Sequence, residues 1–78
     1  LIGFLSAFNG AAQYTKYFYP DNKTISSEGM LVNGKPDGYW KTYYQDGGLK
    51  SEGNRKDFKL DGKWIFYRED STLERSIE

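Results

Sequence analysis

The chain predicts an all-β protein, a single-layer antiparallel β-meander of about six short strands laid down as repeated hairpins. Three observations carry that expectation. Turn signals rich in Asp, Asn and Gly recur every 11 to 16 residues. No stretch after Leu1–Phe8 sustains a 3.6-residue apolar period. A 24-residue internal repeat organises the chain from residue 16 onward.

The repeat is visible without gaps. A shift of 24 aligns Tyr19, Tyr43 and Tyr67, then Ile25, Leu49 and Leu73. It places Ser27-Glu28-Gly29 on Ser51-Glu52-Gly53, Lys35, Asp37 and Gly38 on Lys59, Asp61 and Gly62, and Trp40 on Trp64. The units run over about 16–39, 40–63 and a shortened 64–78, so residues 13–78 read as one repeat domain.

In chain order, Leu1–Ala12 comes first and is uncharged, whereas the 66 residues after it hold all 22 charges. Its apolar run followed by Asn9-Gly10-Ala11-Ala12 resembles the end of a secretory signal peptide cleaved after Ala12. That resemblance implies an exported, periplasmic or outer-membrane-associated protein, and a cytoplasmic one if the segment is instead a packed N-terminal element. Asp21-Asn22-Lys23 is the first expected turn. The next spans Asn33 to Gly38, where Pro36 loses no ladder hydrogen bond. Tyr39–Tyr44 is aromatic and partly β-branched, the composition of a strand. Asp46-Gly47-Gly48 turns the chain into Leu49–Gly53, and the strand from Asn54 to Leu60 leads to a turn at Asp61-Gly62. Asp70-Ser71 marks the last turn. Gly34, Gly38, Gly47 and Gly62 are thus turn residues, and the Glu-Gly pairs strand-end or turn elements.

Composition excludes several function classes. The 78 residues contain no Cys and no His, which removes thiolate chemistry, disulfides and the usual general base. Eleven Lys and Arg balance eleven Asp and Glu, so the basic excess of a nucleic-acid binder is missing. The recurring carboxylates Glu28/Glu52 and Asp37/Asp61 do not suit acid–base catalysis, because a repeat gives equivalent environments and catalysis needs different ones. Asp21, Asn22 and Asp46 lack the dense ligand spacing of a calcium loop. No enzyme activity, cofactor or metal is expected.

The stretch Gly38-Tyr39-Trp40-Lys41-Thr42-Tyr43-Tyr44-Gln45-Asp46-Gly47-Gly48-Leu49-Lys50-Ser51-Glu52-Gly53 has the pattern Gly-x-Trp-x-x-Tyr-x-x-Asp-Gly-x-Leu-x-x-Glu-Gly. It resembles the bacterial variant of the MORN repeat (membrane occupation and recognition nexus). Lys59–Tyr67 restates its opening and Tyr19–Gly29 its close. The resemblance implies successive hairpins in an elongated, twisted antiparallel sheet, a non-catalytic scaffold for protein–protein interaction, and in some relatives an antitoxin-like regulator of a cytoplasmic toxin. The pattern departs at Lys16, which stands where Trp is expected, and at Ser71 and Ile77, which stand where Gly is expected.

Within the repeat, alternation sends Trp40 and Thr42 to one face and Tyr39, Lys41 and Tyr43 to the other. Trp40 and Trp64 form the expected structural core, with Ile25, Leu49 and Leu73 as fillers. Tyr39, Lys41 and Tyr43 are the candidate partner-binding residues, because 14 aromatics exceed what one sheet can bury. A protein partner, another chain or a second copy at the sheet edges, is the expected ligand. Lipid contact through Lys50, Arg55, Lys56, Lys59 and Lys63 is weakened by Glu52, Asp57 and Asp61 between them. The division of faces predicts that Trp64→Ala lowers stability by about 3 kcal/mol or more. Tyr39→Ala should lower it much less, and urea melts of the two variants compare them.

Overall fold

The alternating runs fold into six strands in the computed structural model, which describes residues 12–78. They are β1 (Ala12–Phe18), β2 (Ile25–Val32), β3 (Lys35–Tyr43), β4 (Leu49–Lys56), β5 (Lys59–Tyr67) and β6 (Leu73–Ile77). All pair antiparallel with their sequence neighbours, giving one open sheet in the order β1-β2-β3-β4-β5-β6. The molecule measures 43 × 32 × 13 Å, the thickness of a single layer. Consecutive strands are also neighbours in space, so every pairing is local and every connection a tight turn. The apolar leader expected at 1–12 lies outside the described residues except for Ala12.

A single layer has no second sheet to bury against, and the chain solves this with glycine. Trp40 on β3 pairs with Gly29 on β2, and Trp64 on β5 pairs with Gly53 on β4. Each indole lies flat across its glycine. A Cβ at Gly53 would stand 2.5 Å from Cδ2 of Trp64, and Trp40 closes Gly29 in the same way. Trp40 and Trp64 retain only 4% and 1% of their exposure, and no other hydrophobic side chain among the described residues is buried. Gly29 and Gly53 are therefore mid-strand packing sites, not turn elements. Their chain neighbours Ser27 and Ser51 share the tryptophan face, where Thr42 Oγ1 and the buried Ser51 Oγ lie 2.5 Å apart.

A bulge sets up each indole. Between Leu31↔Pro36 and Gly29↔Trp40 the β3 strand carries two extra residues, and β5 does the same between Asn54↔Asp61 and Gly53↔Trp64. Gly38 (φ 93°) and Gly62 (φ 75°) absorb these bulges. Both lie inside strands, which corrects their assignment to turns. Beside each bulge the indole N–H takes a backbone carbonyl of the neighbouring strand. Trp40 Nε1 donates to Met30 O at 3.0 Å and Trp64 Nε1 to Asn54 O at 2.6 Å. A buried indole N–H without an acceptor would be costly, so burial and bulge come as a pair.

The fillers sit differently from expectation. Ile25 and Leu49 are half-buried, and Leu73 is 57% exposed. The covers over the indoles are instead Tyr17, stacked 6.3 Å from Trp40, and Arg55, 5.3 Å above Trp64. Phe66 adds a tilted contact at 6.3 Å. Leu73 sits on β6, an edge strand with no strand beyond it among the described residues, so nothing closes over it.

The first repeat unit is displaced by one residue. Equivalent turn hydrogen bonds begin at Tyr19, Tyr44 and Arg68 and end at Thr24, Gly48 and Thr72. The first turn is thus one residue longer, and the extra residue is Lys23, because Asn22, Gly47 and Ser71 make the same turn bond. Tyr19 consequently matches Tyr44, not Tyr43: their hydroxyls donate to Tyr43 O and Tyr67 O respectively. Lys16 pairs with Glu28 and so occupies the place of Lys41, while Thr15 faces Gly29 where the next unit has Trp40.

The two hairpin tips differ in quality. Asn33-Gly34 joins β2 to β3 with both φ values positive (53° and 79°), the type I′ geometry that suits Asn-Gly. The equivalent β4–β5 tip is Asp57-Phe58 at φ 51° and 71°, a left-handed conformation that a Phe side chain opposes. This tip, not Asp61-Gly62, is the turn between β4 and β5. Gly47 (φ 93°) is a turn residue as expected.

Two substitutions test these constraints. Gly53→Ala should destabilise by about 2–3 kcal/mol in the native chain and cost little in a Trp64→Ala background. A double-mutant cycle from urea melts reads the coupling, and additivity would contradict the packing described. Phe58→Gly should raise stability by about 1 kcal/mol through relief of the left-handed Phe, measured as a higher urea midpoint.

Candidate functional site

Alternation within the strands places Tyr14 on β1, Glu28 on β2, Tyr39, Lys41 and Tyr43 on β3, Glu52 on β4 and Tyr67 on β5 on the face opposite the tryptophans. A cross-strand row Lys16–Glu28–Lys41–Glu52 alternates in sign. Opposite charges directly across a ladder favour this register.

Each glutamate is held between two tyrosine hydroxyls. Tyr14 Oη donates to Glu28 Oε1 at 2.8 Å, and Tyr43 Oη donates to Glu28 Oε2. One unit along, Tyr39 Oη donates to Glu52 Oε1 at 2.7 Å and Tyr67 Oη to Glu52 Oε2 at 2.5 Å. The two clamps are equivalent because Tyr14 takes the place of Tyr39 after the one-residue displacement. Fixing each carboxylate from both sides also fixes its two phenol rings, four in all, since each ring now has a bonded tip. Two of the rings remain accessible, Tyr14 at 55% and Tyr39 at 48% exposure, while Tyr43 and Tyr67 are partly buried.

The hydrogen bonds shift both partners. The Tyr43 hydroxyl, then Tyr14, holds the Glu28 carboxyl below its ordinary value of 4.5, and Tyr67, then Tyr39, does the same for Glu52. In return the bond to Glu52 pushes Tyr39 up to about 12 and raises Tyr67, and the bond to Glu28 raises Tyr14. Tyr43 rises mainly because its hydroxyl is the most desolvated, with Glu28 adding to the effect. Glu28 and Glu52 move in the same direction for the same reason.

The structure brings Tyr39, Lys41 and Tyr43 onto one face as expected. The clamp residues that reading the sequence missed are Tyr14, Glu28, Glu52 and Tyr67. Recurrence of Glu-Gly every 24 residues was the available signal, because a strand places the two residues on opposite faces. The glutamate then serves one face and the glycine the other. The turn acids act locally on their own backbone. Asp21 accepts from the Lys23 and Thr24 amides, Asp46 from Gly48 N, and Asp70 from Thr72 N. Near the first turn, Lys23, Thr24, Ile25, Glu28, Tyr43 and Gly47 line an open depression of about 390 Å³. No family model, curated protein or solved structure matches the chain.

The clamps give a two-sided pH dependence. The depressed glutamates contribute stability above their ordinary 4.5 and lose it as pH falls through the lower folded-state values. The raised tyrosines contribute fully below 10.0 and lose it as pH climbs through their elevated values. Urea stability measured across pH should therefore fall at both ends. In a Tyr39→Phe/Tyr67→Phe variant both limbs should shrink, and unchanged limbs would mean the clamps carry no stability.

Proposed function

We propose that this chain is a non-catalytic repeat module of the bacterial MORN type that binds a protein partner through its tyrosine face, centred on Tyr39, Lys41 and Tyr43, in the cell envelope. The observation that supports this most is the pair of tyrosine–glutamate clamps. They bond the tips of four aromatic rings on one face and leave two of them, Tyr14 and Tyr39, about half-exposed. Ordered tyrosines lose little side-chain entropy on binding, and aromatics are enriched at the centres of protein interfaces. Lys41 supplies a cationic group between the two clamps.

The family assignment rests on the Gly-x-Trp-x-x-Tyr and Glu-Gly pattern, whose glycines and tryptophans have the packing roles described above. The envelope location rests on the leader-like segment 1–12. A native N-terminus at Gln13, read by mass spectrometry, would support export; a retained and extended N-terminus would favour the antitoxin-like cytoplasmic regulator.

Binding is tested with the chain immobilised against envelope extract. A specific protein should be retained by the wild type and lost about tenfold or more with Lys41→Glu or Tyr39→Ala. A urea melt must show each variant folded. Equal retention by wild type and variants would remove the tyrosine face as the binding surface.

A further inference from the structure

Phe58 is the side chain the fold accommodates worst. It stands at φ 71°, in the position that Gly34 holds in the sibling hairpin, and it is 60% exposed. Its turn is closed by Lys56 paired directly across from Lys59, two like charges where the sibling has Val32 against Lys35. Leu60, 46% exposed, replaces the sibling's Pro36. Phe58 adds strain and an exposed aromatic ring, Lys56 adds a second basic group beside Lys59, and Leu60 adds exposed apolar surface. The tip is nonetheless held in place: Arg55 Nη1 donates to Phe58 O at 3.1 Å while its guanidinium lies 5.3 Å above the Trp64 ring.

The opposite end of the sheet has complementary character. Turn segments 20–24, 44–48 and 68–72 carry Asp21, Asp46, Glu69 and Asp70 against Lys23 and Arg68. Segments 32–36 and 56–60, at the Phe58 end, carry Lys35, Lys56 and Lys59 against Asp57, and the flanking Arg55 is outweighed by Asp37 and Asp61, which leaves the end basic by one charge. A chain with no net charge is thus polarised along its strands. The acidic end also holds the depression of about 390 Å³ with Ile25 and Tyr43 in its wall and Glu28 beside them.

We infer that this chain self-associates head to tail, the Phe58 tip of one copy entering the depression lined by Thr24, Ile25, Tyr43 and Gly47 of the next. Lys56 and Lys59 then face the acidic turns around Asp21 and Asp46. Lys23 is the basic side chain on the receiving rim, so Lys56 and Lys59 approach from the Asp46 side. The contact is heterologous and does not close by two-fold symmetry, so it forms open chains of molecules. One aromatic anchor and a few exposed charges make it weak and salt-sensitive. Phe58 lies at the sheet end and off the tyrosine face, whereas the receiving depression shares Tyr43 and Glu28 with that face, so this contact and partner binding compete at Tyr43.

Sedimentation velocity and amide NMR of the full 78-residue chain, from micromolar to millimolar concentration, test the inference. The weight-average mass should rise with concentration and fall again at high salt. The concentration-dependent shifts should gather at Phe58 and at Thr24, Ile25 and Gly47. Phe58→Gly should weaken association at least about tenfold while leaving the chain folded. Lys56→Glu/Lys59→Glu should weaken it to a similar extent. A mass independent of concentration, association unchanged in Phe58→Gly, or shifts confined to β1 and β6 would each overturn the inference. So would Phe58 signals that respond only to added anionic phospholipid vesicles, which would make the tip a membrane contact.

Discussion

A sheet one layer thick has two wet faces, and it holds together only if some side chains find burial without a second layer. Here the indole of each tryptophan lies on the bare backbone of a neighbouring strand at Gly29 or Gly53, so the sheet serves as its own packing partner. Removing a large aromatic from water contributes roughly 2–3 kcal/mol, and only two such burials occur among the described residues. The remaining regularity follows from them. The glycine admits the ring, the bulge at Gly38 or Gly62 offsets the tryptophan, and a backbone carbonyl of the neighbouring strand accepts the indole N–H.

The other face is organised by polar contacts. Tyrosine hydroxyls and glutamate carboxylates cross-link β1 with β2, β2 with β3, β3 with β4 and β4 with β5. Such bonds between partly exposed groups add modestly to stability, but they order the rings that lie between them. One face therefore holds the sheet together, and the other presents a fixed aromatic and charged surface. The strands separate these two roles because neighbouring residues point in opposite directions.

Strain is distributed unevenly along the repeat. The Asn33-Gly34 tip uses residues suited to a left-handed pair, while Asp57-Phe58 holds the same backbone with an unsuitable one. Residues kept in sparsely populated conformations persist only where their surroundings over-determine them, and Arg55 provides that support here. The contrast is informative because two copies of one hairpin occur in one chain and differ most at the tip.

The amino-acid sequence by itself determined the all-β meander, the repeat, and the two-sided sorting of Trp40 from Tyr39, Lys41 and Tyr43. These depend on periods of two and 24, which a linear chain displays directly. The tertiary structure decided what each recurring glycine is for. Gly29 and Gly53 resemble turn residues in sequence, because an indole arriving from 11 positions further along the chain leaves no local trace. The unit alignment was hidden for a similar reason. Inserting Lys23 leaves the 24-residue match intact from Thr24 onward, yet it moves every β1 residue by one place on the sheet. Tyr14 becomes a clamp and Thr15 meets Gly29, because a strand displaced by one residue exchanges its faces.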